Sequence, residues 1–153
     1  MTSIITSQGL SKGYNTTSKT YADVSQPTAW TTANSPITLF TVTGAVLCRV
    51  YGVVGATPFA STASTGTLAI GITGTTGLLI AATTANGTNL VANTPWFTTA
   101  PTILGIALSV EVLTYDMVNG ANIILTIATN NITAGAVVMY CDWIPVSAGA
   151  TVT

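Results

Sequence analysis

The chain predicts an all-β fold: an antiparallel β-sandwich, of plain or jelly-roll type, with an extended N-terminal arm. Three observations carry that expectation. Hydrophobic residues make up 48% of the 153 positions and charged residues only 5%, against a usual charged share of about 25%. Thr alone occupies 31 positions, and Thr, Val and Ile are β-branched, which disfavours helix and suits a pleated surface. Finally, the apolar residues come in short runs cut by Gly, Thr, Asn or Pro, with no charged side chain between Arg49 and Glu111. Short β-favouring runs with a turn signal about every ten residues are the pattern of a sandwich or barrel. The length fits one domain with a single core.

Residues 1–35 read as the arm. Ser11 to Asp23 holds Lys12, Lys19 and Asp23, three of the seven charges, without sustained periodicity. At most one short strand is expected here, and Ile4, Ile5, Leu10, Tyr14, Tyr21 and Trp30 are its anchors. Such an arm can lie along a neighbouring subunit, and its removal is expected to leave the sandwich folded.

Residues 36–146 read as the sandwich. Ile37–Val42 is the first strand and Gly44 breaks it. Ala45–Val54 is nearly all apolar, as a strand covered on both faces should be. Alternation puts Leu47, Arg49 and Tyr51 on one face and Val46, Cys48 and Val50 on the other. Gly52 marks a bulge or a close backbone approach. Residues 58–66 read as a loop. Thr67–Ile72 and Leu78–Thr83 read as a hairpin joined by a loop of a few residues, followed by an Asn86-Gly87 turn. Residues 88–102, with Pro95, Trp96, Phe97 and Pro101, read as an irregular crossing segment with a buried aromatic anchor. Residues 103–115 predict two short strands or one bent one, with helix as the local alternative. Residues 116–120 read as a turn, since Asn119-Gly120 is a strong hairpin dipeptide. Asn122–Thr129 and Val137–Ile144 are the last strands, with a turn between them bracketed by Asn130-Asn131 and Ala134-Gly135. Pro145 ends the series, and 147–153 reads as a tail of small residues.

The same composition narrows function. There is no His, which excludes Ser-His-Asp and Cys-His nucleophile systems and His-containing metal sites. No catalytic, cofactor-binding or metal-binding residue is expected, and no enzymatic activity. Glu111, Asp116 and Asp142 have no spacing that brings two carboxylates together. The reading is instead that Asp116 caps a turn and that Glu111 or Asp142 pairs with Arg49. That arginine reads either as a strand residue facing solvent or an acid, or as half of an intersubunit ion pair. Cys48 and Cys141 read as buried thiols, and spacing does not supply the geometry of a disulfide. Trp30, Trp96 and Trp143 read as core or interface anchors before a carbohydrate-stacking surface. Three sequons, at Asn15, Asn86 and Asn131, are what chance gives in a chain rich in Asn and Thr.

Three basic residues cannot make a phosphate-binding stripe, so no nucleic acid is expected as a partner. The first residues carry no secretory signal, so synthesis and retention in a cytoplasm are expected. No apolar run reaches the roughly 20 residues of a membrane helix, and most fall short of the about 9–11 of a barrel strand, so no membrane is expected. A net charge of −1 and a mean hydropathy of +0.62 describe a surface that associates near neutral pH.

Ile37 to Val54, Asn119 to Ile127 and Tyr140 to Ala150 resemble small structural proteins encoded by tailed bacteriophages and prophages. The resemblance is one of style and motif order, and it carries over no catalytic or ligand residue. It implies a virion component assembled in the bacterial cytoplasm, a capsid decoration or cement protein. The implied partners are copies of the same chain, as a homotrimer, and the major capsid protein or another virion protein. The alternatives are a tail, baseplate or fibre component, or a receptor- or glycan-binding module built on Trp96 and Phe97.

Overall fold

A computed structural model of the chain describes residues 15–21, 30–97 and 115–153. The run of 103–114, Glu111 within it, and the anchors Ile4, Ile5, Leu10 and Tyr14 lie outside the described residues. The elements, in chain order, are β1 (Asn15–Tyr21), β2 (Ile37–Phe40), β3 (Val42–Thr43), β4 (Ala45–Val54), β5 (Ala60–Ser61), β6 (Thr67–Ile72), β7 (Thr75–Thr84), β8 (Pro95–Trp96), β9 (Asp116–Asn119), β10 (Ile123–Ala128), β11 (Ile132–Ala134), β12 (Val137–Pro145) and β13 (Thr151–Val152). Two 3-10 turns, Thr32–Asn34 and Thr62–Ser64, are the helical content of the described residues.

The strands form two antiparallel sheets with a sandwich-like, all-β arrangement. One runs β1-β12-β4-β8, with β9 also on β4; the other runs β2-β10-β6-β7. Their inner faces share one core. Val46, Cys48, Val50, Val54, Val137, Met139 and Cys141 come from the first sheet, and Leu39, Phe40, Leu68, Ile70, Ile80, Ile123, Leu125 and Ile127 from the second. Apolar burial on this scale is the main stabilising term, at roughly 25 cal/mol per Å² removed from water. Two small ladders, β11 with β5 and β13 with β3, are paired apart from the main sheets, and Ile132 and Val152 bury from them into the same core.

β4 is the centre of the larger sheet. Val46, Cys48, Val50 and Val54 are buried while Leu47, Arg49 and Tyr51 are half-buried, the alternation that the sequence predicts. β12 pairs with it without interruption from Val137↔Val54 to Pro145↔Val46. Gly52 lies within this unbroken register, so of its two readings the close approach is the right one: a Cβ there would sit 2.8 Å from Val137 Cγ2 and 2.9 Å from Met139 Sδ.

The β6–β7 hairpin is tighter at its turn, and less regular beyond it, than the sequence suggests. Thr75 already pairs with Ile72, across a turn in which Gly74 has φ +87°. The register then slips, because Ile70 pairs with Ile80. The four residues 76–79 therefore stand against the single Gly71, three more than a regular ladder holds, and the Thr75–Thr76 backbone crosses directly over Gly71. A Cβ at Gly71 would overlap the Thr75 carbonyl oxygen and lie 2.5 Å from the Thr76 carbonyl carbon. Only glycine leaves room for that crossing.

Three expectations are corrected. Residues 116–119 form β9 on the edge of β4, and no β9–β10 hairpin exists despite Asn119-Gly120. Gly120 does take a positive φ of 64°, and its N–H donates to the Gly44 carbonyl at 2.9 Å. It thereby moves the chain from one sheet to the other rather than back along the same one. The turn between the last two long strands contains β11, paired with β5 in what read as a loop. The small-residue tail contains β13, which pairs with β3 and buries Val152. Within residues 1–35, the one short strand expected is β1, which pairs with β12 over seven positions, and the anchor Trp30 is 3% exposed, its ring edge-on to Phe59 at 5.8 Å.

Candidate functional site

The described residues offer one polar centre, and it sits on the outward face of the larger sheet. In an antiparallel pair, directly opposite residues share a face. β4 and β12 therefore present five outward rows: Ala45/Val146, Leu47/Ile144, Arg49/Asp142, Tyr51/Tyr140 and Val53/Val138. Four of these pairings are in the ladder, and the fifth continues it through the Val146 N–H to Ala45 carbonyl bond of 2.8 Å. Met117 of β9 extends the Leu47 row and Pro95 of β8 the Val53 row.

The middle row holds the ion pair. Arg49 Nη2 donates to Asp142 Oδ2 at 2.6 Å, and Thr16 Oγ1 of β1 donates to Asp142 Oδ1 at 2.9 Å. The Arg49 guanidinium also lies 5.4 Å from the Tyr115 ring centre and 6.0 Å from that of Tyr51. Its pKa is raised, first by the hydrogen bond to Asp142, with burial opposing. Tyr51 is raised as well, first by burial and then by the Asp142 charge. In the next row Tyr51 and Tyr140 stack with ring centres 5.1 Å apart at 13°. Asp142 thus meets Arg49, and that pair closes within one chain.

The other sequence-derived candidates have structural partners. Asp116 lies opposite Cys48 and Asp142 opposite Arg49, so these two carboxylates project from opposite faces of the sheet. Cys48 and Cys141 are both free and fully buried. They are diagonal neighbours on β4 and β12, and the Cys141 thiol is pushed up, first by its hydrogen bond to Cys48 and then by burial. A buried thiol held in its protonated form is a poor nucleophile. Trp96 is fully buried, and its Nε1 donates to Thr83 Oγ1 at 3.2 Å, so its ring has no face for a sugar. Asn86 Oδ1 accepts from the Thr88 and Asn89 N–H groups, and Asn131 Oδ1 from Thr32. No group of His, Cys, Asp and Glu suited to a metal ion occurs among the described residues.

Chemically, this face can bind a flat, mostly apolar surface and fix its register with one charged row. Sequence reasoning identified the alternation in β4 but not this face. The pairing of β12 with β4, and of β9 beside Leu47, is a long-range fact that local patterning does not contain. No helix among the described residues is long and apolar enough to cross a membrane. No family model, curated protein or solved structure matches the chain.

Proposed function

We propose that the chain is a non-enzymatic structural protein of a phage particle, one that decorates or cements the capsid as a homo-oligomer. The observation that carries this reading is a sheet whose outward face, like its inner one, is apolar but for a single ion-paired row, in a chain with only seven charged residues. A lone soluble domain normally spends charge on its outward strand positions. Here four of the five outward rows hold Ala, Leu, Tyr, Val and Ile and only the Arg49–Asp142 row is charged, which suits a protein that works covered. The resemblance of Ile37–Val54, Asn119–Ile127 and Tyr140–Ala150 to phage structural proteins points the same way.

Cementing follows from mass action. A protein that binds the assembled shell and not free capsid subunits stabilises the shell. Repetition of the same contact around a closed oligomer supplies avidity without a tight single site. The assay is co-sedimentation of the purified protein with empty heads of the phage that carries its gene, followed by heating of the loaded heads. Saturable binding and a raised disruption temperature are expected. Absence of binding to heads, with binding to purified tails or fibres instead, would move the protein to another part of the virion.

A further inference from the structure

The outer faces of the two sheets are treated differently by the chain itself. Over the smaller sheet, the Thr75–Thr76 backbone lies directly on Gly71. Over the larger sheet, the apolar rows reach the surface at both ends: Met117 is 65% exposed, Val146 52% and Val53 37%. Between them lies the Arg49–Asp142 row, third of five and so at the middle of the face.

We infer that this outward β4–β12 face is where two copies of the chain pack together, about a two-fold axis that runs parallel to both strands and midway between them. The inference rests on the reading that the protein works as a homo-oligomer. Charge complementarity selects both the occupant and the axis. Rotation about that line lays each β4 residue over its own row partner on β12 of the second copy. Arg49 then faces Asp142 and Asp142 faces Arg49, while Tyr51 faces Tyr140 and the apolar rows face each other. A two-fold perpendicular to the strands would set Arg49 against Arg49. A slip of one row would bury the ion pair against tyrosine or leucine, so that each pair loses its water and gains no polar partner from the second copy. The charged row therefore sets register and the apolar rows supply affinity, as in other isologous contacts. Two-fold contacts generate dimers, or hexamers when trimers pair through them; a solitary trimer cannot contain one.

Sedimentation velocity over a concentration series tests this on the full chain and on three single variants, Val53→Lys, Met117→Lys and Leu78→Lys. Leu78 is also exposed, at 39%, but belongs to β7 of the other sheet. All three positions are exposed, and thermal melts followed by circular dichroism confirm that each variant folds. The expected result is an even-numbered oligomer that Val53→Lys and Met117→Lys each weaken on the order of tenfold or more, and Leu78→Lys does not. A trimer without even-numbered species, or equal association by all three variants, would overturn the two-fold face and leave the capsid reading intact. A wild-type chain monomeric at every concentration would also overturn it. Head binding by such a monomer would show that the face serves another virion protein or is covered by the chain's own residues.

Discussion

Cys141 stands diagonally across from Cys48 in the core, and its thiol is pushed up first by its interaction with the Cys48 thiol and then by burial. Both effects favour the protonated form, so the folded-state pKa is raised above the unfolded value of 9.0. The folded chain then binds this proton more tightly than the unfolded chain does. Its contribution to stability is fully present below the unfolded value and drains away as pH climbs from there toward the folded one. Tyr51, raised from 10.0 by burial and by the Asp142 charge, acts in the same direction from a higher starting point. The melting temperature should therefore be flat from about pH 6 to about pH 8.5 and fall from about pH 9 upward. In Cys141→Ala the fall should begin about one unit higher, where Tyr51 takes over. Scanning calorimetry across this range reads the onset directly, and the onset rather than the absolute stability is compared, since the variant also leaves a small cavity. An unchanged onset would remove Cys141 from the alkaline transition.

At the scale of elements, β1 is the informative case. Seven backbone pairings tie it to the free edge of β12, Thr16 reaches Asp142, and Thr17 Oγ1 donates to the Val152 carbonyl at 3.1 Å. The Trp30 carbonyl accepts from the Ile132 N–H at 3.0 Å, and its ring fills the core beside Phe59. Removing residues 1–14 keeps both β1 and Trp30. Removing 1–30 takes away an edge strand and a buried Trp, whose loss alone costs about 3–5 kcal/mol. Urea titrations of the two truncations distinguish the cases, and equal midpoints would mean that β1 and Trp30 contribute nothing to the fold. The sequence indicated the strands whose pattern is local: Ala45–Val54, Thr67–Ile72, Ile123–Ala128 and Val137–Pro145 all lie where β-branched runs end at Gly, Asn or Pro. It missed β5, β11 and β13, two or three residues each, because such strands exist only through a partner far along the chain. Asn119-Gly120 misled for a related reason. The dipeptide specifies a local turn, and Gly120 obliges, but which strand follows on which sheet is decided by where Val118 and Ile123 are buried. The candidate face was legible only by half: Leu47, Arg49 and Tyr51 could be placed together from alternation, whereas Asp142 and Tyr140 joined them only once β12 was paired.

For the whole molecule, the scarcity of charge decides how association should respond to solution conditions. Three basic and four acidic residues leave a net charge of −1, and Arg49 and Asp142 are already paired within the chain, their side chains 26% and 12% exposed. Little long-range attraction or repulsion remains for salt to screen, since exposed charges fade beyond about 8 Å at physiological ionic strength. Apolar contact between outward rows has the opposite dependence, because salts excluded from protein surface strengthen burial. Raising NaCl from about 50 mM to about 500 mM should change the self-association constant by less than about threefold. Ammonium sulfate at matched ionic strength should tighten it. Sedimentation velocity in the two salts gives both numbers on one sample. Dissociation by an order of magnitude in NaCl would mean that crossed Arg49–Asp142 pairs, rather than the Leu, Val and Tyr rows, supply the affinity, and would reverse the roles assigned to the two halves of the face.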